Sequence, residues 1–377
     1  MNIASVWMLI PLFAWADTAQ KPPGSGRSTA QNPPATARPA GSQSTTKAIW
    51  ERVFFNKDIG LKDIACTGPE TCWVVGEKST ILHTSDGGKT WQVQLGGDPE
   101  ATDPPLIKVF FLDSKHGWAR TSSGKILGTT DGSTWVELSN VSGTTNGVWF
   151  LSPRVGLELE NPDSTSQSTL RRSEDGGKSW KAVSRCSVET TIDGLPRKLD
   201  CMMETAQFLS PTVGFAGGAG TTGMAKYVAV FGKTTDGGQT WAMSVIPESK
   251  RQISSLHFWS EKEGIAVLEK GEEVHRTADG GATWTRSVKQ RLWPSFYGSG
   301  EGKLIVGAAE RGDQIAYSVN GGRNFTTRPF GAPAWIRAVT FVNAQNGYLV
   351  GDHAMVYRYR IVPSTYRSPG MIAAVAP

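Results

Sequence analysis

The sequence is poor in the side chains that carry most enzyme chemistry. Only five histidines occur in 377 residues (His83, His116, His257, His275 and His353), and none forms a His-x-x-x-His pair. The four cysteines contain no Cys-x-x-Cys, which excludes the usual zinc cages. Neither a Gly-x-Ser-x-Gly elbow nor a phosphate-cradling Gly-x-x-x-x-Gly-Lys-Ser/Thr loop is present. No long stretch holds a 3.6-residue apolar period, so a solenoid of helices is excluded. Charge is sparse too: 39 basic and 34 acidic residues leave a net +5 without a long basic run. That balance argues against dedicated nucleic-acid binding. No metal and no cofactor are expected. The abundant residues are glycine (43) and tryptophan (14), a composition of many tight turns with aromatics beside them. Hydrophobic residues at 38% provide for a sizeable core.

The first 47 residues stand apart. Residues 3–16 read IASVWMLIPLFAWA and end in Ala14-Trp15-Ala16, a small-x-small cleavage pattern. The run is short for a bilayer span. It is expected to be a signal peptide (1–16), although no Lys or Arg precedes it, and retention as an anchor is the alternative. Residues 17–47 are rich in Pro, Ser, Thr, Ala and Gln and cannot bury enough apolar area to offset chain entropy. They are expected to form a flexible linker. The expected location is periplasmic or extracellular, with no integral span after cleavage.

The remainder repeats one pattern. Thr84-Ser85-Asp86-Gly87-Gly88-Lys89-Thr90-Trp91 returns around Asp175 and Trp180, Asp236 and Trp241, and Asp279 and Trp284. A shorter copy holds Asp131 and Trp135, and a worn copy has Asn320 and Phe325. Asp-Gly is a strong hairpin signal, because glycine accepts φ > 0 and the carboxylate can accept from turn amides. Each box therefore reads as a structural staple rather than a catalytic site.

A second spacing runs beside it. A strand-like triplet ends in Phe, and Gly follows six residues later: Phe111/Gly117, Phe150/Gly156, Phe208/Gly214, Phe258/Gly264, Phe296/Gly302 and Phe341/Gly347. Such constant spacing implies a hairpin between a first and a second strand. Cys66 and Cys72 occupy the same two positions at the start of the domain and should face each other. In an exported chain that predicts a Cys66–Cys72 disulfide, and Cys186–Cys201 then pair by elimination. Four free thiols are the alternative if the chain is not exported.

Positions 66, 111, 150, 208, 258, 296 and 341 number seven. Each unit reads as four short antiparallel strands, so the fold class is all-β, a seven-bladed β-propeller. The seventh unit has no Asp-Gly turn and lacks its fourth strand. Residues 48–54, with Trp50 in the place of a box aromatic, should supply it and close the ring. The expected propeller spans 48–362, followed by a C-terminal tail (363–377).

The Asp-Gly-Gly-x-Thr-Trp element resembles the Asp-box, or bacterial neuraminidase repeat, of sialidases, xyloglucan hydrolases, sortilin-type receptors and the photosystem II assembly and stability factors. The whole unit, as in Val109-Phe110-Phe111-Leu112-Asp113 with Gly117-Trp118-Ala119, Ile126-Leu127 and a box, is most similar to the last group. That resemblance implies a non-enzymatic exported scaffold; the chain itself is expected to be a monomer. Its implied partner is a protein, such as a membrane-protein complex in an envelope or thylakoid. The implied location is the thylakoid lumen if the source is photosynthetic.

A sialidase would need an Arg-Ile-Pro near the propeller start, and Arg360-Ile361-Val362-Pro363 lies at the wrong end. Two-propeller xyloglucan hydrolases need twice the length. The alternative to a protein-binding scaffold is a secreted carbohydrate-active propeller using loop acids such as Asp98, Glu100, Asp103 and Glu310. Gly217-Gly218-Ala219-Gly220-Thr221-Thr222-Gly223 reads as a mobile loop inside a blade. The Asp-Gly turns and six-residue hairpins should share one rim. The other rim is expected to carry Arg120, Lys125, Arg197, Lys198, Lys250, Arg251, Arg291 and Arg311, a basic surface for an acidic protein partner.

Overall fold

The computed structural model describes residues 46–366 except 54, 56, 141–143, 162–166, 193, 222–226, 248, 250, 270–272, 289–291, 299–304 and 310–313. Seven antiparallel sheets are present. Numbered along the chain, blades 1 to 6 span 61–95, 106–140, 144–185, 187–245, 253–288 and 292–329. Blade 7 combines Ile336–Asn343, Asn346–Gly351 and Met355–Pro363 with the N-terminal strand Thr46–Val53 as its outer member. That strand runs antiparallel to Met355–Pro363, with Trp50 opposite Tyr359. The expected closure of the ring is therefore present. It pairs the outer side of Met355–Pro363, so that the last blade has four strands like the others.

The repeated Phe and Gly have one steric reason. Phe111 pairs with Gly117, Phe150 with Gly156, Phe208 with Gly214, Phe258 with Gly264 and Phe341 with Gly347. A methyl group on Gly117 would lie 2.4 Å from the Phe111 ring, and one on Gly214 would lie 2.3 Å from Phe208. The glycine thus lets the ring lie across the second strand and reach the box tryptophan edge-on. Centroid distances are 5.8 Å for Phe111–Trp135, 6.1 Å for Phe150–Trp180 and 6.1 Å for Phe208–Trp241. The residue after each glycine, or after Cys72 in blade 1, points the other way, toward the next blade. Trp73 stacks on Phe111, Trp118 on Phe150 and Phe215 on Phe258, each at 3.7 Å. These phenylalanines are held by their own blade at the edge and by the preceding blade at the face. Such aromatic pairs contribute about 0.5–1.5 kcal/mol each beyond area burial.

Three sequence readings need correction. In blade 6 the register places Phe296 opposite Gly307, not Gly302, because the strand Leu292–Gly298 continues two residues past the phenylalanine. Gly302 itself lies outside the described residues. Gly217, Gly218 and Gly220 are not in a loop but within the strand Gly214–Thr221. Gly218 is required there because a Cβ would stand 1.9 Å from the Met202 carbonyl oxygen. Finally, blade 4 has a fifth strand, Ser187–Ile192. It pairs with Leu195–Asp200 in the first part of the long strand Leu195–Phe208, and the rest of that strand pairs with Gly214–Thr221 from Cys201 onward. The Cys186–Cys201 disulfide fastens the point where the strand changes partner. The Cys66–Cys72 disulfide joins directly opposed residues, as the spacing predicts.

The innermost strands share one more feature. Their registers slip between Leu61 and Asp63, Leu106 and Lys108, Thr145 and Gly147, Met203 and Thr205, Ile253 and Ser255, and Ile336 and Ala338. An extra residue of this kind bends the strand and increases its local twist.

Candidate partner-binding face

The box turns and the first hairpins occupy one rim, and the chemistry there is spent on structure. In the first box the Thr84 hydroxyl donates to Asp86 Oδ1 at 2.9 Å and accepts from the Gly88 amide at 2.9 Å. Asp86 Oδ1 accepts from the Thr90 amide at 3.0 Å, and Oδ2 accepts from the Thr90 hydroxyl at 2.7 Å. The same pattern recurs at Asp175, Asp236 and Asp279, and Asn320 keeps part of it. Asp131 accepts from the amides of Ser133 and Thr134, both at 2.7 Å, in its shorter turn. These bonds favour the ionised carboxylate. Asp86 is pulled down to about 2, chiefly by the Thr90 amide. Asp236 and Asp279 are pulled down to about 2, chiefly by the hydroxyls of Thr240 and Thr283. Asp131 and Asp175 lie well below the usual carboxylate range, held first by the Thr134 amide and the Ser179 hydroxyl. Carboxylates so bound are poor proton carriers near neutrality.

The turns also lock neighbouring blades. The Trp73 indole donates to the Gly132 carbonyl at 2.9 Å, and Trp118 donates to Gly176 at 3.1 Å. Arg172 donates to the carbonyl of Gly237, Arg276 to that of Gly321, and Arg358 to that of Gly87. In each case a side chain of one blade grips the box turn of the next. A basic residue directly before the Ser or Thr of a box was the available signal at Arg172 and Arg276.

The opposite rim carries the second-to-third strand loops and the links between blades. Of the basic residues expected there, Lys250, Arg291 and Arg311 lie outside the described residues. Arg120 is not on the rim at all: it lies inside the strand Gly117–Thr121 and is only 4% exposed, because its alternation points it into the joint with blade 3. Lys125 faces solvent but pairs with Glu137 at 3.0 Å. Arg251 contacts Glu269 and stands 3.8 Å from Glu273. Arg197 and Lys198 are both exposed, side by side on the added hairpin of blade 4, next to exposed Leu195 and Pro196. Arg197 and Lys198 are consecutive on one strand, so their side chains leave opposite faces of the hairpin, while Lys125 and Arg251 are neutralised by acidic neighbours.

Sequence reasoning missed a network on this same rim. Lys62 pairs with Glu77 at 2.8 Å and reaches Asp352 at 3.5 Å, while Arg337 holds Asp352 through Nε at 2.9 Å. It ties blade 7 to blade 1. No local pattern could have revealed it, since Lys62 and Asp352 are 290 positions apart. Asp98, Glu100 and Asp103 sit on the link between blades 1 and 2, and Glu310 is outside the described residues. Among the described residues no helix is long and apolar enough to cross a membrane, and no cluster of three metal-ligating side chains occurs.

Comparison with known proteins adds the context. A family model described as photosynthesis system II assembly factor YCF48 matches residues 42–360. The photosystem II assembly protein Ycf48 of Synechococcus sp. (strain JA-2-3B'a(2-13)) is 25% identical over 331 residues, covering 82% of this chain and 88% of its own length. The chloroplastic photosystem II stability/assembly factor HCF136 of Arabidopsis thaliana is 24% identical over 333 residues, covering 82% of this chain and 79% of its own. Among solved structures, a YCF48 bound to a D1 peptide superposes with a TM-score of 0.61 at 17% identity, covering 82% of this chain and 96% of that one. At that identity the likeness concerns the fold.

Proposed function

The chain belongs to the photosynthesis system II assembly factor YCF48 family, and we propose on that premise that it is a non-catalytic, exported scaffold that holds a segment of a photosystem II core protein during assembly. The family match carries the reading, because it runs from the N-terminal closing strand through the last blade. The relative solved with a D1 peptide suggests the kind of partner. Two disulfides support an oxidising compartment, the thylakoid lumen or the periplasm. The outer strands of the other blades are short, Gln92–Leu95 and Ala242–Val245 among them, and short edges pair poorly between copies, which supports a monomer.

Within this reading the contact face is the connection rim around the blade 4 hairpin. Arg197 and Lys198 supply positive charge that speeds and orients the approach of an acidic segment, and Leu195 supplies apolar contact. The opposite rim is committed to the box turns.

The test is capture from detergent-solubilised photosynthetic membranes by the immobilised chain, with identification of the retained polypeptides. Recovery of a reaction-centre core polypeptide is the expected outcome, with recovery reduced about tenfold by Arg197→Glu plus Lys198→Glu. Failure to retain any photosystem II polypeptide would overturn the reading, as would turnover of a glycoside.

A further inference from the structure

The joint between blades 2 and 3 contains two buried charges without bonds. Arg120 of blade 2 is 4% exposed, and its guanidinium has no hydrogen bond or ion pair among the described residues; its Nε is sealed and unpaired. Glu158 of blade 3 is 1% exposed, and neither carboxylate oxygen has a hydrogen-bond partner. The strand Gly156–Asn161 explains the placement. Leu157 and Leu159 pack toward blade 4, so Glu158 between them faces blade 2. Arg171, opposite Glu158 in the sheet, spends its Nε on Glu160 at 2.9 Å. Burying charge without partners is costly, so such a pair is not explained by stability.

A cavity of about 390 Å³ lies beside them, within the size range of small-molecule sites. Phe110, Trp118 and Trp149 supply apolar walls, and Arg120 lines it. The Trp149 ring folds over Gly147, where a Cβ would stand 2.3 Å from it. Two other charged lining residues are already satisfied by each other: Asp63 Oδ2 lies 3.7 Å from Lys108 Nζ and also accepts from the Val109 amide at 3.1 Å. Glu204 has a partner of its own. Arg120 is thus the cationic lining group left for an incoming anion.

We propose that this cavity binds a small organic carboxylate, whose charged end is received by Arg120 and whose flat apolar body lies against Trp118 and Trp149. A guanidinium beside aromatic walls suits a carboxylate, because the paired bonds are charge-assisted and match its planar fork. Glu158 tunes the site. Burial pushes its carboxyl up to about 7, against the opposing pull of Arg171 and Arg120 and with a raising contribution from Glu160. Below that pH Glu158 is neutral and Arg120 is free to take a ligand. Above it the Glu158 anion offsets the Arg120 charge across the joint without bonding it and repels an incoming carboxylate.

The experiment titrates the purified full chain with benzoate and with its neutral isostere benzyl alcohol, by calorimetry and ligand-observed NMR. Near pH 6, benzoate should bind about tenfold more tightly than benzyl alcohol, and near pH 8 that preference should fall by about tenfold. Glu158→Gln should keep at pH 8 the affinity seen at pH 6, and Arg120→Met should abolish the preference for the carboxylate. If Arg120→Met does not fold, the isostere comparison and the Glu158→Gln titration decide the matter. Equal binding of benzoate and benzyl alcohol would overturn the proposal, as would an undiminished pH dependence in Glu158→Gln.

Discussion

Trp50, near one end of the chain, lies edge-on to Phe341 of the last blade, with ring centroids 6.0 Å apart and an interplanar angle of 86°. This is the contact that a box tryptophan makes with the phenylalanine of its own blade elsewhere in the ring. The N-terminal strand has therefore replaced not only the backbone of a missing fourth strand but also its aromatic anchor. Phe330 at 5.7 Å and Tyr359 at 5.2 Å complete the cluster.

Trp50→Ala should accordingly destabilise the whole propeller rather than fray one terminus. The indole is 3% exposed, and truncation of a buried Trp costs about 3–5 kcal/mol. Equilibrium denaturation should show a single transition at lower denaturant. Removal of residues 1–53 should go further and bare the edge of Met355–Pro363, producing concentration-dependent association in sedimentation.

Acid should weaken the fold over a definite window. The box carboxylates have depressed folded values, near 2 for Asp86, Asp236 and Asp279. Their contribution is complete above the unfolded value near 3.8 and is lost as pH falls through the folded one. Thermal unfolding followed between about pH 5 and 2 should show the midpoint dropping mainly below about 4. Asp236→Asn should flatten part of that drop, because Asn can accept at one oxygen as Asn320 does. No kink in this window would mean that the boxes add little.

The glycine opposite each phenylalanine should resist substitution. Gly214→Ala places a methyl 2.3 Å from the Phe208 ring, and overpacking of this sort costs about 1–3 kcal/mol. Gly68→Ala is the control, since nothing lies within 4 Å of its Cβ position, and it should change stability by less than about 0.5 kcal/mol. Denaturant midpoints of the two variants give the comparison.

What the sequence revealed follows the range of the forces involved. Box turns are written locally: Gly87, Gly132, Gly176, Gly237, Gly280 and Gly321 all take positive φ, and only glycine does so cheaply. The Cys66–Cys72 pair was legible because it replaced two residues of a counted spacing. The blade 6 hairpin was misread because Gly302 fell at the right distance by coincidence while the strand ran on to Gly298. The fifth strand of blade 4 was hidden because its pairing partner is an extension of a strand already counted. At the candidate site, Arg120, expected on the rim, lies instead inside the strand Gly117–Thr121 and is buried. Its fate depends on which face of Gly117–Thr121 meets the next blade, and that is set by the stacking of Trp118 on Phe150. The Lys62–Asp352–Arg337 network was invisible for the same reason of distance along the chain.

The most direct test of the scaffold role asks which rim touches the partner. A photo-crosslinking amino acid placed at Lys198 on the connection rim, or at Gln239 on the box rim, can be irradiated in photosynthetic membranes and the products identified by mass spectrometry. Adducts with a photosystem II core polypeptide from Lys198 and few from Gln239 are the expected result. Adducts from Gln239 alone, or none from either position, would contradict the account.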